Sequence, residues 1–201
     1  MLNKRFLNSG IVAITAAVAI SIASCSTSTS TGSGNTGGAT GGATGGGGEA
    51  NTGESAALPY ADARYGYRVD APGKMTVAAD GSATFVGPSE RLQVLVLQGA
   101  RAGDPAALAR ADIAALPATA TGFRLESGPA AITINGHRGQ KFVYSWSAGT
   151  SQVTGNPVQL VSVRYYVPKD AATVAVITYG IVSNQYDPQG ADDIATTFRW
   201  Q

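Results

Sequence analysis

Lys141-Phe142-Val143-Tyr144-Ser145-Trp146-Ser147, Val158-Gln159-Leu160-Val161-Ser162-Val163-Arg164-Tyr165-Tyr166-Val167 and Val174-Ala175-Val176-Ile177-Thr178-Tyr179-Gly180-Ile181 lie within one stretch, Gly139 to Val182. Side chains on a strand point alternately to its two faces, so each run can be read for what it presents on either side. In the first run, Gln140–Ser147, the aromatics Phe142, Tyr144 and Trp146 share a face. In the second, Val158–Val167, one face carries Val161, Val163, Tyr165 and Val167, and the other Leu160, Ser162, Arg164 and Tyr166. The third, Thr173–Val182, is largely apolar on both. Strands apolar on both sides need cover on both sides. The pattern therefore predicts an α+β fold, a central antiparallel sheet flanked by helices. Pro168-Lys169-Asp170-Ala171 is a short link with proline fixing φ. Such a link joins antiparallel neighbours, since a parallel crossover takes about a dozen residues or more.

Working outward, Ala63–Asp70 alternates and reads as a first strand, ended by Ala71-Pro72-Gly73. Met75–Ala79 and Ser82–Val86 flank Asp80-Gly81, a tight-hairpin signal. Arg91–Gln98 is a long apolar strand. Asp104-Pro105 supplies a capping carboxylate and a proline at the first helical position. The helix runs through about Leu116, buries Leu108, Ile113 and Leu116, and stops at Pro117. Phe123–Ser127 and Ala131–Ile134 read as strands, and Asn135-Gly136 as a hairpin turn. Asp187-Pro188 repeats the helix start. Ile194 and Phe198, four apart, share a helical face.

Upstream, the 201-residue chain changes character. Lys4 and Arg5 precede an apolar run, Ile11 to Ile22, that suits a signal sequence and falls short of the ~20 residues of a spanning helix. It ends in Ile22-Ala23-Ser24-Cys25, which resembles the bacterial lipobox. That resemblance implies a leader over 1–24, removed after Ser24, and acylation of Cys25. Two or more acyl chains hold a protein stably on a membrane where one does so only marginally. Ser26 to Ser55 is low-complexity Ser, Thr, Gly and Ala with almost no apolar surface to bury. It reads as a disordered tether with an r.m.s. span of roughly 30 Å. The division is thus leader 1–24, lipidated Cys25 and tether 25–55, and globular domain 56–201. The address is the extracytoplasmic side of a bacterial membrane, the outer membrane if the cell has one. Cys25 is the single cysteine, so no internal disulfide forms. Without Lys4 and Arg5 the chain has 12 basic against 13 acidic side chains. That balance, with no clustered cations, argues against a nucleic-acid partner.

The order of motifs across Leu58–Gln201 resembles the PsbP/Mog-type family, which includes LpqN-like bacterial lipoproteins. The residues that carry it are Tyr65–Gly73, Leu92–Leu97 before a helix and Ile132-Thr133-Ile134-Asn135-Gly136 leading into Gly139–Tyr144. Arg164-Tyr165-Tyr166, Ile177-Thr178-Tyr179 and the ending Thr197-Phe198-Arg199-Trp200 complete it. Met75 departs from the aromatic many members carry after the Pro-Gly step. The resemblance implies an α-β-α sandwich and an accessory or binding protein rather than an enzyme, and it supplies no catalytic residue.

No catalytic constellation emerges from the residues themselves. His137 is the only histidine, and a serine nucleophile would need it as base. A zinc site would want three or four ligands of a kind the chain does not group. Asp187, Asp192 and Asp193 cluster at a helix start, where the helix dipole accounts for them. No cofactor and no metal are expected. The candidate binding residues are Tyr144, Trp146, Arg164, Tyr166 and Tyr179, on adjacent strands. They form either an amphipathic binding platform with a cationic centre or core beneath the helices. The chain is expected to be a monomer that meets the membrane through its lipid and an envelope protein or ligand through this domain. The alternatives are a structural spacer of the envelope or an envelope hydrolase.

Overall fold

The three runs form neighbouring strands of a seven-stranded antiparallel sheet in the computed structural model, which describes residues 58–151 and 154–201. The leader, Cys25 and the tether lie outside those residues. In chain order the elements are β1 (Leu58–Asp62), β2 (Tyr67–Ala71), β3 (Lys74–Val77), β4 (Ala83–Val86), β5 (Glu90–Gln98) and α1 (Pro105–Ala115). Next come β6 (Arg124–Ile134), β7 (His137–Thr150), β8 (Pro157–Asp170), β9 (Thr173–Val182), α2 (Pro188–Thr197) and β10 (Arg199–Trp200). The large sheet has the order β3-β4-β5-β9-β8-β7-β6, and β1-β2-β10 make a small one.

Local chemistry places the ends of these elements. Asn135 (φ 47°) and Gly136 (φ 85°) turn β6 into β7, the left-handed pair that a tight hairpin needs. The Asp104 carboxylate accepts from Ala107 N at 3.0 Å and starts α1. That of Asp187 accepts from Gln189 N and Gly190 N and starts α2. Each satisfies N–H groups that a helix leaves orphaned.

Several sequence expectations are corrected. The first alternating run is not one strand. The Asp62 carboxylate accepts from Arg64 N (2.8 Å) and Tyr65 N (3.0 Å), and Gly66 takes φ 66°, so the chain reverses between β1 and β2. The two segments around Ala131 are one strand, β6, irregular at 125–130, where the Gly128–Pro129 peptide is cis. Pro168 is inside β8, not in the link. It pairs with Val174 of β9 where the register shifts between Pro168 and Asp170, and such an irregularity is one of the places where a sheet admits proline. The Ala171-Ala172 turn is held instead by Asp170, whose carboxylate accepts from Ala172 N at 2.8 Å. The helix expected through Leu116 becomes a 3-10 turn at Leu116–Ala118.

Each face of the large sheet carries a core cluster, as the alternation requires. On one, Leu92, Val94, Val163, Tyr165 and Ile177 pack with Tyr67, Val69, Ala191, Ala195 and Phe198 of the small sheet and α2. On the other, Phe142, Tyr144, Tyr166, Val174 and Val176 pack with Leu108, Ala109 and Ile113 of α1. The fold is thus mostly antiparallel sheet with two helices among the described residues. One helix lies on each face, and α2 shares its face with the small sheet. Each fully buried Val or Leu here contributes about 1.5–3 kcal/mol.

α2 is tied to the sheet by charge as well as by area. Lys141 Nζ lies 2.8 and 2.6 Å from the two Asp192 oxygens, and Tyr165 donates to the same carboxylate at 2.9 Å. Asp192→Ala would leave the fully buried Tyr165 hydroxyl without an acceptor. We expect a loss of about 2 kcal/mol in urea denaturation, most of it from the orphaned hydroxyl, since the ion pair is partly exposed.

Candidate functional site

The α1 face of the sheet carries a connected set of polar contacts within its core. β8 sends Leu160, Ser162, Arg164 and Tyr166 to it, and β7 sends Phe142, Tyr144 and Trp146. Arg164 donates from Nη1 to Asp112 of α1 at 2.7 Å and from Nε to Thr178 at 3.1 Å. Tyr166 donates to the same Asp112 oxygen. The Arg164 guanidinium also stands 5.9 Å from the centre of the Tyr144 ring. Burial works against its charge, but Tyr144, Tyr166 and Asp112 outweigh that and hold its pKa above the ordinary arginine value. Trp146 Nε1 donates to Ser162 Oγ at 3.1 Å. The Phe123, Phe142, Tyr144 and Tyr166 rings form a chain with centroids 5.6–6.2 Å apart.

The structure therefore brings together four of the five expected binding residues: Tyr144, Trp146, Arg164 and Tyr166. Tyr144 (4% exposed) and Tyr166 (1%) are core, whereas Trp146 and Arg164 are half-buried. Tyr179 does not join them. Odd-numbered residues of β9 face the small sheet and α2, and the Tyr179 hydroxyl donates to Glu90 at 2.7 Å there. His137 opens β7 opposite Ile134 and makes no side-chain hydrogen bond among the described residues. Asp187, Asp192 and Asp193 are occupied in capping α2, in binding Lys141 and Tyr165, and in binding Gln189. Among the described residues no group of three or more histidine, cysteine or carboxylate side chains could hold a metal ion. No helix there is long and apolar enough to cross a membrane.

α1 packs over β6, β7 and β8. Beyond it, on the same face, lies a strip of half-buried residues: Arg91 and Gln93 of β5, and Thr178, Gly180 and Val182 of β9. Cross-strand register places Arg91 beside Gly180, and Gly180 beside Ser162. Arg91 makes no hydrogen bond or ion pair among the described residues, and its Nε is buried without an acceptor. Burial lowers its pKa. Sequence reading missed this residue. The available signal was parity, because Arg91 and Gln93 alternate with Leu92 and Val94 and so fall on the face of Leu95 and Leu97. Asp112 was missed too, although it lies four residues from both Leu108 and Leu116.

No family model matches the chain, and no curated protein does. Similar solved structures include a Bacteroides thetaiotaomicron protein (8% identity, TM-score 0.47), covering 73% of this chain and 49% of its own. The chain thus spans about half of that protein. The Saccharomyces cerevisiae Ran-binding protein Mog1p is 12% identical with a TM-score of 0.45, over 72% of this chain and 95% of its own. LpqN, involved in cell envelope biogenesis of Mycobacterium tuberculosis, is 15% identical with a TM-score of 0.37, over 70% and 85%.

The buried hydroxyls make an alkaline limit. Burial raises the Tyr165 and Tyr166 pKa values, with Asp192 adding to the first, while Arg164 opposes and Asp112 reinforces the second. Burial also raises Tyr67, helped by Tyr60 and Asp62, and Tyr179, helped by Glu90. A folded pKa above the unfolded value means that the folded state keeps its proton while the unfolded chain loses one. Stability should then hold up to about pH 10 and fall above it, by up to about 1.4 kcal/mol per pH unit for each hydroxyl. Denaturation midpoints on either side of pH ~10, read beside tyrosinate absorbance, check this. Asp112→Ala should cost about 2–3 kcal/mol in the same assay, because it leaves a largely buried guanidinium unpaired; the partial exposure of Asp112 limits the loss.

Proposed function

We propose that this chain is a lipid-anchored extracytoplasmic binding module, non-catalytic, that engages an envelope protein or ligand through the open strip of the α1 face. The observation that carries it is the strip itself. Arg91, Gln93, Thr178, Gly180 and Val182 are contiguous by strand register and only half-buried, and half-buried Trp146 lies on the same face beyond the covered Leu160. Mixed polar and aromatic surface of this kind is characteristic of sites that hold a partner with defined orientation. The lipobox-like Ile22-Ala23-Ser24-Cys25, the apolar run from Ile11 that leads into it and the low-complexity Ser26–Ser55 after it support an anchored domain held away from the lipid. The motif order that resembles the PsbP/Mog family, with its α-β-α sandwich, supports an accessory role. On this reading the site is Trp146 and Arg164 with the strip, resting on Tyr144 and Tyr166 as core. The chain acts as a monomer, delivered to the outer membrane in a cell that has one.

Two measurements test this. Cys25→Ser should move the bulk of the protein from the membrane to the soluble fraction of its own cells; a variant that stays membrane-bound overturns the anchor. Photo-cross-linking from positions 93 and 178 in those cells should capture a discrete neighbour, lost when Arg91 and Trp146 are both substituted. Capture that is unaffected by those substitutions, or no capture, favours a spacer.

A further inference from the structure

One row of side chains crosses the open strip, given by register as Lys74, Val86, Arg91, Gly180, Ser162 and Tyr144. Gly180 interrupts it. Having no side chain, Gly180 leaves a dip between Arg91 and Ser162, and a Cβ there would stand 3.3 Å from Ser162 Oγ. The adjacent row is apolar: Val182, Leu160 and Trp146, of which Val182 and Trp146 are half-buried and Leu160 is covered. The dip thus has a cation on one side and an apolar shelf alongside.

The charges around it do not cancel. Arg164 is matched by Asp112. Glu90 follows the other face, where it accepts from Tyr179. That leaves Arg91 unpaired among the described residues, with Lys74 further along the row. A half-buried guanidinium with an orphaned Nε is costly in the empty protein. Such a cost recurs where a ligand later supplies the missing acceptor. One free guanidinium presents a planar fork that matches a single carboxylate. A dianionic phosphate would call for more cations than this dip offers.

We propose that the dip at Gly180 binds the carboxylate of an organic acid, with Arg91 as its counter-ion and the acid's apolar body lying on Trp146 and Val182. This deepens the binding reading above and rests on it. Phenylbutyrate is a suitable soluble probe, titrated calorimetrically into the purified full chain. Its uncharged amide and phenyl phosphate are the comparison arms.

Phenylbutyrate should bind at least about tenfold more tightly than either comparison compound, since a charge-assisted pair carries a tenfold or larger factor. Arg91→Gln should remove that preference while leaving the thermal midpoint unchanged or raised, because it deletes an unpaired half-buried charge. Arg91→Lys should retain part of the preference. Gly180→Ala should weaken the acid by filling the dip. Equal binding of acid and amide, tighter binding of phenyl phosphate, no binding of phenylbutyrate, or an Arg91→Gln protein that binds like the original overturns the site. A lowered midpoint in Arg91→Gln would make Arg91 structural and also overturns it. Failure of these titrations removes the carboxylate site alone, whereas failure of the cross-linking removes the broader reading.

Discussion

Two neighbouring hydroxyls on opposite sides of one strand hold this domain's layers in place. Tyr165 and Tyr166 are consecutive in β8, so their side chains leave the sheet in opposite directions. Tyr165 donates to Asp192 of α2, and Tyr166 to Asp112 of α1. Each carboxylate also takes a cation from the sheet, Lys141 on one face and Arg164 on the other. The arrangement repeats across the sheet: helix aspartate, sheet tyrosine, sheet cation. It fixes where each helix sits, since a buried polar group must find its partner and tolerates few alternative positions.

That constraint explains what is covered and what is not. Asp112 anchors α1 above β8, beside the Phe123–Tyr144–Phe142–Tyr166 rings. The helix is 11 residues long, so about 16 Å at 1.5 Å per residue, too short to span the whole face. The half of β5 and β9 that carries Arg91, Thr178 and Gly180 is left half-exposed. The opposite face is filled more completely because the small sheet joins α2 there and adds Tyr67, Phe198 and Trp200. A polar strip on the thinly covered side is therefore a consequence of helix length and anchor position. Function, on the reading proposed here, uses the space so left.

Much of this was legible in the residues. Alternation in Val161–Val167 separated the two faces, and the Asn135-Gly136, Asp104-Pro105 and Asp187-Pro188 signals found a hairpin and both helix starts, because each acts within a few residues. The errors were of two kinds. At Tyr65-Gly66 and at Pro168, pattern and turn residues disagreed, and the deciding facts were an Asp62 side chain and an irregular β8–β9 register, neither visible in a local window. At Tyr179 and Arg91 the parity within a strand was readable, but which face was which depends on register between strands far apart in sequence. Grouping Tyr179 with Tyr144 and Trp146 required that register. So did noticing that Arg91 lies beside a glycine.

The central claim is that β8 ties the two helices independently, one hydroxyl to each. Native-state amide hydrogen exchange on Tyr165→Phe and Tyr166→Phe tests it directly. Removing the Tyr165 hydroxyl should speed exchange in α2 and leave α1 unchanged, and removing that of Tyr166 should do the reverse. If both helices loosen together in either variant, or neither loosens in both, the two anchors are not what holds the layers, and the placement of the open strip needs another cause.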